Sequence, residues 1–291
     1  KSTIEYAREK AKKYDKHIGF TITTNATLLD EESMEYLNEN MDNVVLSIDG
    51  RKSINDNMRK TVNGKGTYDI ILPKIKEFLE KRGEKSHYIR GTFTAHNLDF
   101  VNDVLAFADE GFKEISIEPV IASPDMEYAL KEEHLDTILK EYEKLAKKII
   151  EYEEMGKAFR FYHYLMDLDG GPCIYKKVSS CGAGYEYFAV TPEGDLYPCH
   201  QFVGRDGYKI GNIDTGIENR ELQEKFSHNS VYHKEKCSEC WAKFHCSGGC
   251  QANADAFCGD LKIPYELECK LQRKRIECAI MLKAYYSTIE N

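Results

Sequence analysis

From Lys1 to about Met166, short apolar runs take turns with longer segments whose apolar residues recur every three or four positions. The first pattern fits buried strands and the second amphipathic helices, so the sequence predicts βα units around a parallel sheet. KSTIEYAREKAKKYDK reads as a helix leading into strand IGFTITTN, and DEESMEYLNENM as a second helix with Asp30 or an adjacent acid near its start. Strand NVVLSIDG follows, then a loop closed by NGKGTY. Helix DIILPKIKEFLEKRG, strand YIRGTFT, helix LDFVNDVLAFADEGF, strand EISIEPV and a long charged helix from Glu132 to about Glu154 complete four βα repeats.

Alternation along these strands predicts two unlike faces. Val44, Leu46 and Ile48 point toward the helices, while Val45, Ser47 and Asp49 point the other way. Thr21, Thr23 and Asn25 share the corresponding face of the first strand, and Tyr88, Arg90, Thr92 and Thr94 that of the third. Polar groups thus gather on the inner face toward the carboxyl ends of the strands, where α/β folds hold their ligands. A small polar ligand is expected there. Taken singly, each of these residues equally suits a strand cap or a helix start.

The apolar pattern carries no membrane-spanning run, and with 42% hydrophobic positions in 291 residues the chain can bury a large core and a smaller module. A net charge of -9 lacks the basic footprint needed to displace counterions from DNA or RNA, so no nucleic-acid partner is expected. No signal peptide opens the sequence, and Lys1 falls in what reads as mid-helix, so a fragment of a cytoplasmic protein is expected.

Cysteine changes the picture of the second part. All ten cysteines lie between Cys173 and Cys278, which sets the expected division at 1–166 and 167–291. Without an export signal, the C-x2-C pair favours metal binding over disulfides. In CSECWAKFHCSGGC, Cys237 and Cys240 can chelate from a tight turn and Cys246 can close on the same centre. Ser247-Gly248-Gly249 can then turn the chain and send Cys250 elsewhere, because glycine admits backbone conformations that other residues resist.

Cys181, then Gly194 and Cys199, then C-x2-C-x5-C-x3-C, then Cys269 form a seven-cysteine arrangement that resembles the SPASM domain of radical S-adenosylmethionine enzymes. That resemblance implies a partial radical SAM (β/α) barrel missing its first strands, followed by a cysteine-rich SPASM domain with two auxiliary 4Fe-4S clusters. SIDGRKSINDNMRKTVNGKGTYD, YIRGTFTAHNLDF, SIEPVIA, GGPC, YFAVTPEGDLYPCHQFVG and CSGGCQANA together resemble the maturases of SCIFF (six cysteines in forty-five residues) precursors. The implied activity is installation of a thioether between a cysteine sulfur and a threonine α-carbon of a ribosomally made precursor peptide, with a flavodoxin or ferredoxin as electron donor.

The resemblance assigns Cys237, Cys240, Cys246 and Cys269 to the second auxiliary cluster, and Cys181, Cys199 and Cys250 to the first. Cys173 is the candidate fourth ligand of the first cluster; alternatively one iron stays open, able to take a substrate thiolate. Cys258 and Cys278 fall outside the pattern and read as inert apolar side chains. His200 occupies the position after Cys199 where related enzymes place an acid-base residue; a histidine merely hydrogen-bonded beside a cluster is the other reading. For S-adenosylmethionine the resemblance implies Ser47 and Asp49 at the amino-acid or ribose portion, Arg90 or Arg59 at the carboxylate, and Val120 against adenine.

The C-x3-C-x2-C loop that holds the S-adenosylmethionine-cleaving cluster is absent from the sequence, as is the glycine-glycine-glutamate segment that contacts the methionine amine. The third 4Fe-4S cluster is therefore expected in an amino-terminal part, and the chain alone is expected to be inactive. Two other readings stay open. One is another SPASM modifier, a sulfatase-maturating oxidase or a carbon-carbon crosslinker; the other is a zinc-binding module with no catalytic role, since zinc also accepts four cysteines.

Overall fold

The structure is a computed structural model describing residues 1–168, 170 and 174–289. The chain divides into two compact units, Lys1–His163 and Tyr164–Asn291.

The first unit is a parallel sheet in strand order β1-β2-β3-β4-β5. Its strands are β1 (Thr21–Thr24), β2 (Asn43–Ser47), β3 (His87–Phe93), β4 (Glu114–Pro119) and β5 (Arg160–Phe161). Between them run α1 (Ser2–Lys13, before β1), α2 (Glu31–Asn40), α3 (Lys52–Met58), α4 (Tyr68–Arg82), α5 (Val101–Asp109) and α6 (Leu135–Glu154). Val44, Leu46, Ile48, Ile89, Phe93, Ile115 and Ile117 are fully buried. They meet the apolar stripes of the helices, Ile71, Ile75 and Phe78 on α4 and Ile138, Tyr142 and Leu145 on α6.

Local chemistry sets the element ends. Asp30 caps α2 by accepting from Ser33 N (2.9 Å), while Ser33 Oγ accepts from Asp30 N (2.9 Å), a reciprocal capping box. Pro73 lies inside α4 and removes one helical donor, yet the buried face carries the helix through. Gly91 lets β3 lie close on β2: a Cβ there would sit 2.7 Å from Ile48 O.

Two features depart from the expected repeats. The loop after β2 contains helix α3, with Asn55 fully buried and its Oδ1 accepting from Asp49 N (3.3 Å). A fifth strand, β5, pairs with β4 through Glu114↔Arg160 and Ile115↔Phe161. Two residues are too few for alternation to announce a strand.

The second unit holds α7 (Ile174–Ser179), a four-stranded antiparallel meander β6 (Ala189–Val190), β7 (Asp195–Tyr197), β8 (Gly211–Asn212) and β9 (Gly216–Ile217), then α8 (Arg220–Ser227), α9 (Glu235–Ser238), α10 (Lys243–Cys246), α11 (Gln251–Cys258) and α12 (Glu266–Ile289). Its core joins Phe202, Ile210, Phe226, Ala252 and Leu261. Phe202 stacks on Tyr208 at 4.4 Å and meets Phe226 edge-on at 5.3 Å. Among the described residues no helix is long and apolar enough to cross a membrane.

Candidate metal centres

In the second unit, short helices and tight turns bring the thiols into two groups. Cys237 lies in α9 and Cys240 two residues past it, held by Cys240 N donating to Cys237 O (3.2 Å). Cys246 ends α10, and Cys269 rides the first turn of α12. These four cysteines line a single cavity of about 390 Å³, together with Lys236, Lys243, Glu266 and Arg273. Among the described residues no three His, Cys, Asp or Glu side chains converge tightly enough to hold one metal ion. Four soft donors spread around a roomy cavity suit a cluster of several irons, whose thiolates stand farther apart than those on a single zinc.

Ser247, Gly248 and Gly249 all adopt positive φ (58°, 94° and 73°). This reversal carries Cys250 to the start of α11 and away from the four-cysteine cavity. Cys199 and Cys250 pack into the same buried cluster, and the nearby Cys181 adds to the rise of both thiols. Gln201 Nε2 approaches Cys250 Sγ at 3.7 Å, and Ser180 Oγ donates to Gly249 O at 3.3 Å. Cys181, Cys199 and Cys250 thus form a second group; Cys173 lies outside the described residues.

All nine described cysteines are unbridged. Burial pushes the thiols of Cys199, Cys237 and Cys246 up, Cys250 to about 11 and Cys269 to about 12. Without a bound cation these thiols keep their protons, and iron must displace them. Cationic groups surround the four-cysteine cavity: Lys236 and Arg273 both bind the Glu266 carboxylate at 3.1 Å, and Lys243 donates to Ser238 O at 2.6 Å. Lys234, only 1% exposed, donates to Gly248 O at 2.7 Å. Burial pulls its pKa down, and Cys237, Cys246, Glu268 and Cys269 oppose that shift. The structure adds Lys234, Arg273 and Glu268 to the residues singled out from sequence; their only linear signal is nearness to Cys237 and Cys269.

His200 is exposed in the turn directly after Cys199. Cys258 is half-buried, and Cys278 is buried in α12.

In the first unit the inner face of the sheet is polar. The register sets Ser47 beside Arg90 and Arg90 beside Ser116, and Thr92 beside Glu118. Arg90 Nε and Nη2 donate to Glu118 at 3.2 and 3.1 Å. Tyr88 stacks on Tyr162 with ring centroids 5.4 Å apart, and Ser116 Oγ meets His163 Nε2 at 3.2 Å. Asp49 is buried and accepts from Arg59 Nε (2.7 Å), Arg59 Nη2 (2.9 Å) and Thr92 N (3.0 Å). Asp49 and Arg59 are therefore joined to each other, and Arg90 carries a carboxylate partner of its own. Thr94 serves the turn after β3, where Asn97 Oδ1 accepts from its amide (2.8 Å) and hydroxyl (3.1 Å). Val120 is half-buried, its amide donating to Phe93 O at 2.8 Å. Ser47 and Val120 border a face with polar donors and acceptors, compatible with a zwitterionic ligand.

A family model described as an iron-sulfur cluster-binding domain, SPASM, matches residues 181–241. The chain is 26% identical over 275 residues to a cysteine-type anaerobic sulfatase-maturating enzyme of Clostridium novyi, covering 87% of this chain and 70% of that one. It is 28% identical over 286 residues to a serine-type anaerobic sulfatase-maturating enzyme of Bacteroides thetaiotaomicron, covering 87% and 66%. The solved structure of anSMEcpe with bound AdoMet and the Cp18Cys peptide superposes with a TM-score of 0.75 at 23% identity, over 99% of this chain and 82% of that one. The chain spans 59% to 70% of the length of the curated relatives it matches. Residues 181–241 thus match a SPASM iron-sulfur cluster-binding domain, the α/β fold is that of anSMEcpe, and the sequence is similar to those of anaerobic sulfatase-maturating enzymes.

Proposed function

We propose that this chain is part of a radical SAM maturase that oxidises a cysteine or serine side chain in a protein or peptide, and that Cys237, Cys240, Cys246 and Cys269 hold one auxiliary 4Fe-4S cluster while Cys181, Cys199 and Cys250 hold another. The observation that carries this reading is the division of seven cysteines into two groups by the Ser247–Gly249 turn, in a chain homologous to sulfatase-maturating enzymes along 87% of its length. Cys173 remains the proposed fourth ligand of the first cluster.

Bound auxiliary clusters would supply electron transfer, and bound S-adenosylmethionine would supply the hydrogen-abstracting radical chemistry. The chain's own residues bind, orient and exclude water. On the inner face, Ser47, Arg90 and Val120 are proposed to hold S-adenosylmethionine, with Glu118 giving up part of its hold on Arg90 to the cofactor's carboxylate. Asp49 and Arg59 are proposed to shape that face as a pair. His200 is proposed to take the proton released when the substrate side chain is oxidised; it is exposed in the turn directly after Cys199.

Thioether formation in a SCIFF-type peptide is the second reading, favoured by segments such as SIDGRKSINDNMRKTVNGKGTYD and CSGGCQANA. Homology to enzymes that act on sulfatases favours side-chain oxidation. The test supplies the C-x3-C-x2-C-bearing amino-terminal part, then offers a sulfatase-type peptide and a SCIFF-type peptide. A carbonyl captured by hydrazide supports side-chain oxidation. A product that has lost two hydrogens, keeps its sulfur and resists thiol alkylation supports the thioether instead.

A further inference from the structure

Resting on the cluster assignment above, we propose that Lys234 is a built-in countercharge for the second auxiliary cluster, a positioning residue that sets the cluster's reduction potential and ties together the two turns supplying its ligands.

Lysine is almost never fully buried without a partner. Lys234 is 1% exposed, and its ammonium donates to Gly248 O at 2.7 Å. That carbonyl belongs to the Ser247–Gly249 reversal separating Cys246 from Cys250. At its other end, Lys234 O accepts from Cys237 N at 3.0 Å and Ser238 N at 3.2 Å, the start of the C-x2-C turn. One residue therefore links the backbone of both cysteine-bearing turns.

Gly248, whose carbonyl takes the ammonium, lines the same cavity as Cys237, Cys240, Cys246 and Cys269. Those four are the proposed ligands of a single cluster. A buried cation beside a cluster stabilises the state carrying one more electron, because charges interact strongly where water cannot screen them. Its presence raises the reduction potential. The ammonium lies directly against this turn: a Cβ at Gly248 would make ordinary contact with it at 3.5 Å and with Val231 at 3.4 Å.

The test uses the whole chain, reconstituted anaerobically with iron and sulfide, and follows each cluster's one-electron reduction by dithionite in an EPR-monitored potentiometric titration. The signal missing from the Cys240→Ala chain identifies the second cluster. Lys234→Gln keeps a hydrogen-bond donor and removes the charge; Lys234→Met removes both; Lys234→Arg keeps the charge. The expected result is wild-type iron content in Lys234→Gln, a more negative potential for the second cluster, a smaller or absent shift for the first, and recovery toward the wild-type value in Lys234→Arg. If Lys234→Met does not load iron, Lys234→Gln decides. An unchanged potential in a fully loaded Lys234→Gln chain overturns the inference. Failure of the wild-type chain to take up iron would instead overturn the cluster assignment, so the two failures are distinguishable.

Discussion

Asp49 and Arg59 are bound face to face, with Arg59 Nε 2.7 Å from Asp49 Oδ2 and Arg59 Nη2 2.9 Å from Asp49 Oδ1. The Asp49 carboxylate is 6% exposed and the Arg59 side chain 30%, so the pair is largely desolvated and pins the end of β2 to the residue after α3. Removing one partner strands a buried charge. Arg59→Ala is expected to lower unfolding free energy by about 3 kcal/mol, read as a reduced midpoint in urea denaturation at unchanged slope. Arg59→Lys, which cannot reproduce the fork, is expected to fall in between.

Arg82 holds the opposite ends of the strands. It is 3% exposed and donates to the carbonyls of Ser86, Met41 and Asp42, Nη2 reaching them at 2.6, 3.2 and 3.1 Å. Arg82→Met keeps the bulk but orphans those acceptors. The expected loss is about 2–4 kcal/mol, seen as a lower thermal midpoint, with iron uptake by the second unit preserved.

Tyr208 links the loop after Cys199 to α11 through its hydroxyl, which donates to Asp255 Oδ1; Arg205 binds the other carboxylate oxygen. Burial, and next the bond to Asp255, push the Tyr208 phenol up from 10.0 to about 12. A group whose pKa is raised on folding contributes stability that is intact below its unfolded value and is lost as pH climbs through the folded one. The second unit should therefore lose this contribution between pH 10 and 12. Tyr208→Phe should remove that part of the alkaline decline, measured by denaturation across the same range.

The two cysteine groups predict separable losses. Cys240→Ala and Cys199→Ala should each remove about four irons per chain and leave the other cluster's EPR signal. Cys258→Ala and Cys278→Ala should retain full iron content. Loss of all iron from either Cys240→Ala or Cys199→Ala would mean the thiols act as one site.

His200→Ala should leave iron content unchanged while lowering turnover of the complete enzyme about 10²-fold or more. Turnover equal to wild type would return His200 to a surface role.

Alternation along NVVLSIDG picked out Val44, Leu46 and Ile48, all fully buried, because a strand's period of two reads directly from sequence; Val45 and Asp49 of the other face are buried as well, so burial does not alternate along β2. Ser247-Gly248-Gly249 was legible as a reversal for an equally local reason, since two glycines permit the positive φ values observed. What sequence could not supply were pairings across distance. Nothing local announces that Asp49 meets Arg59 across α3, that Arg90 meets Glu118 across adjacent strands, or that Lys234 folds inward to Gly248 O. β5 was missed because two residues carry no periodicity, and α3 because SINDNM lacks an apolar stripe.

The most direct measurement is iron, sulfide and zinc quantification of the anaerobically reconstituted chain, with its absorbance spectrum. The account predicts about eight irons and eight sulfides per chain, a brown colour and negligible zinc. Tightly bound zinc with no iron would contradict it, and the proposed cluster division and chemistry would fall together.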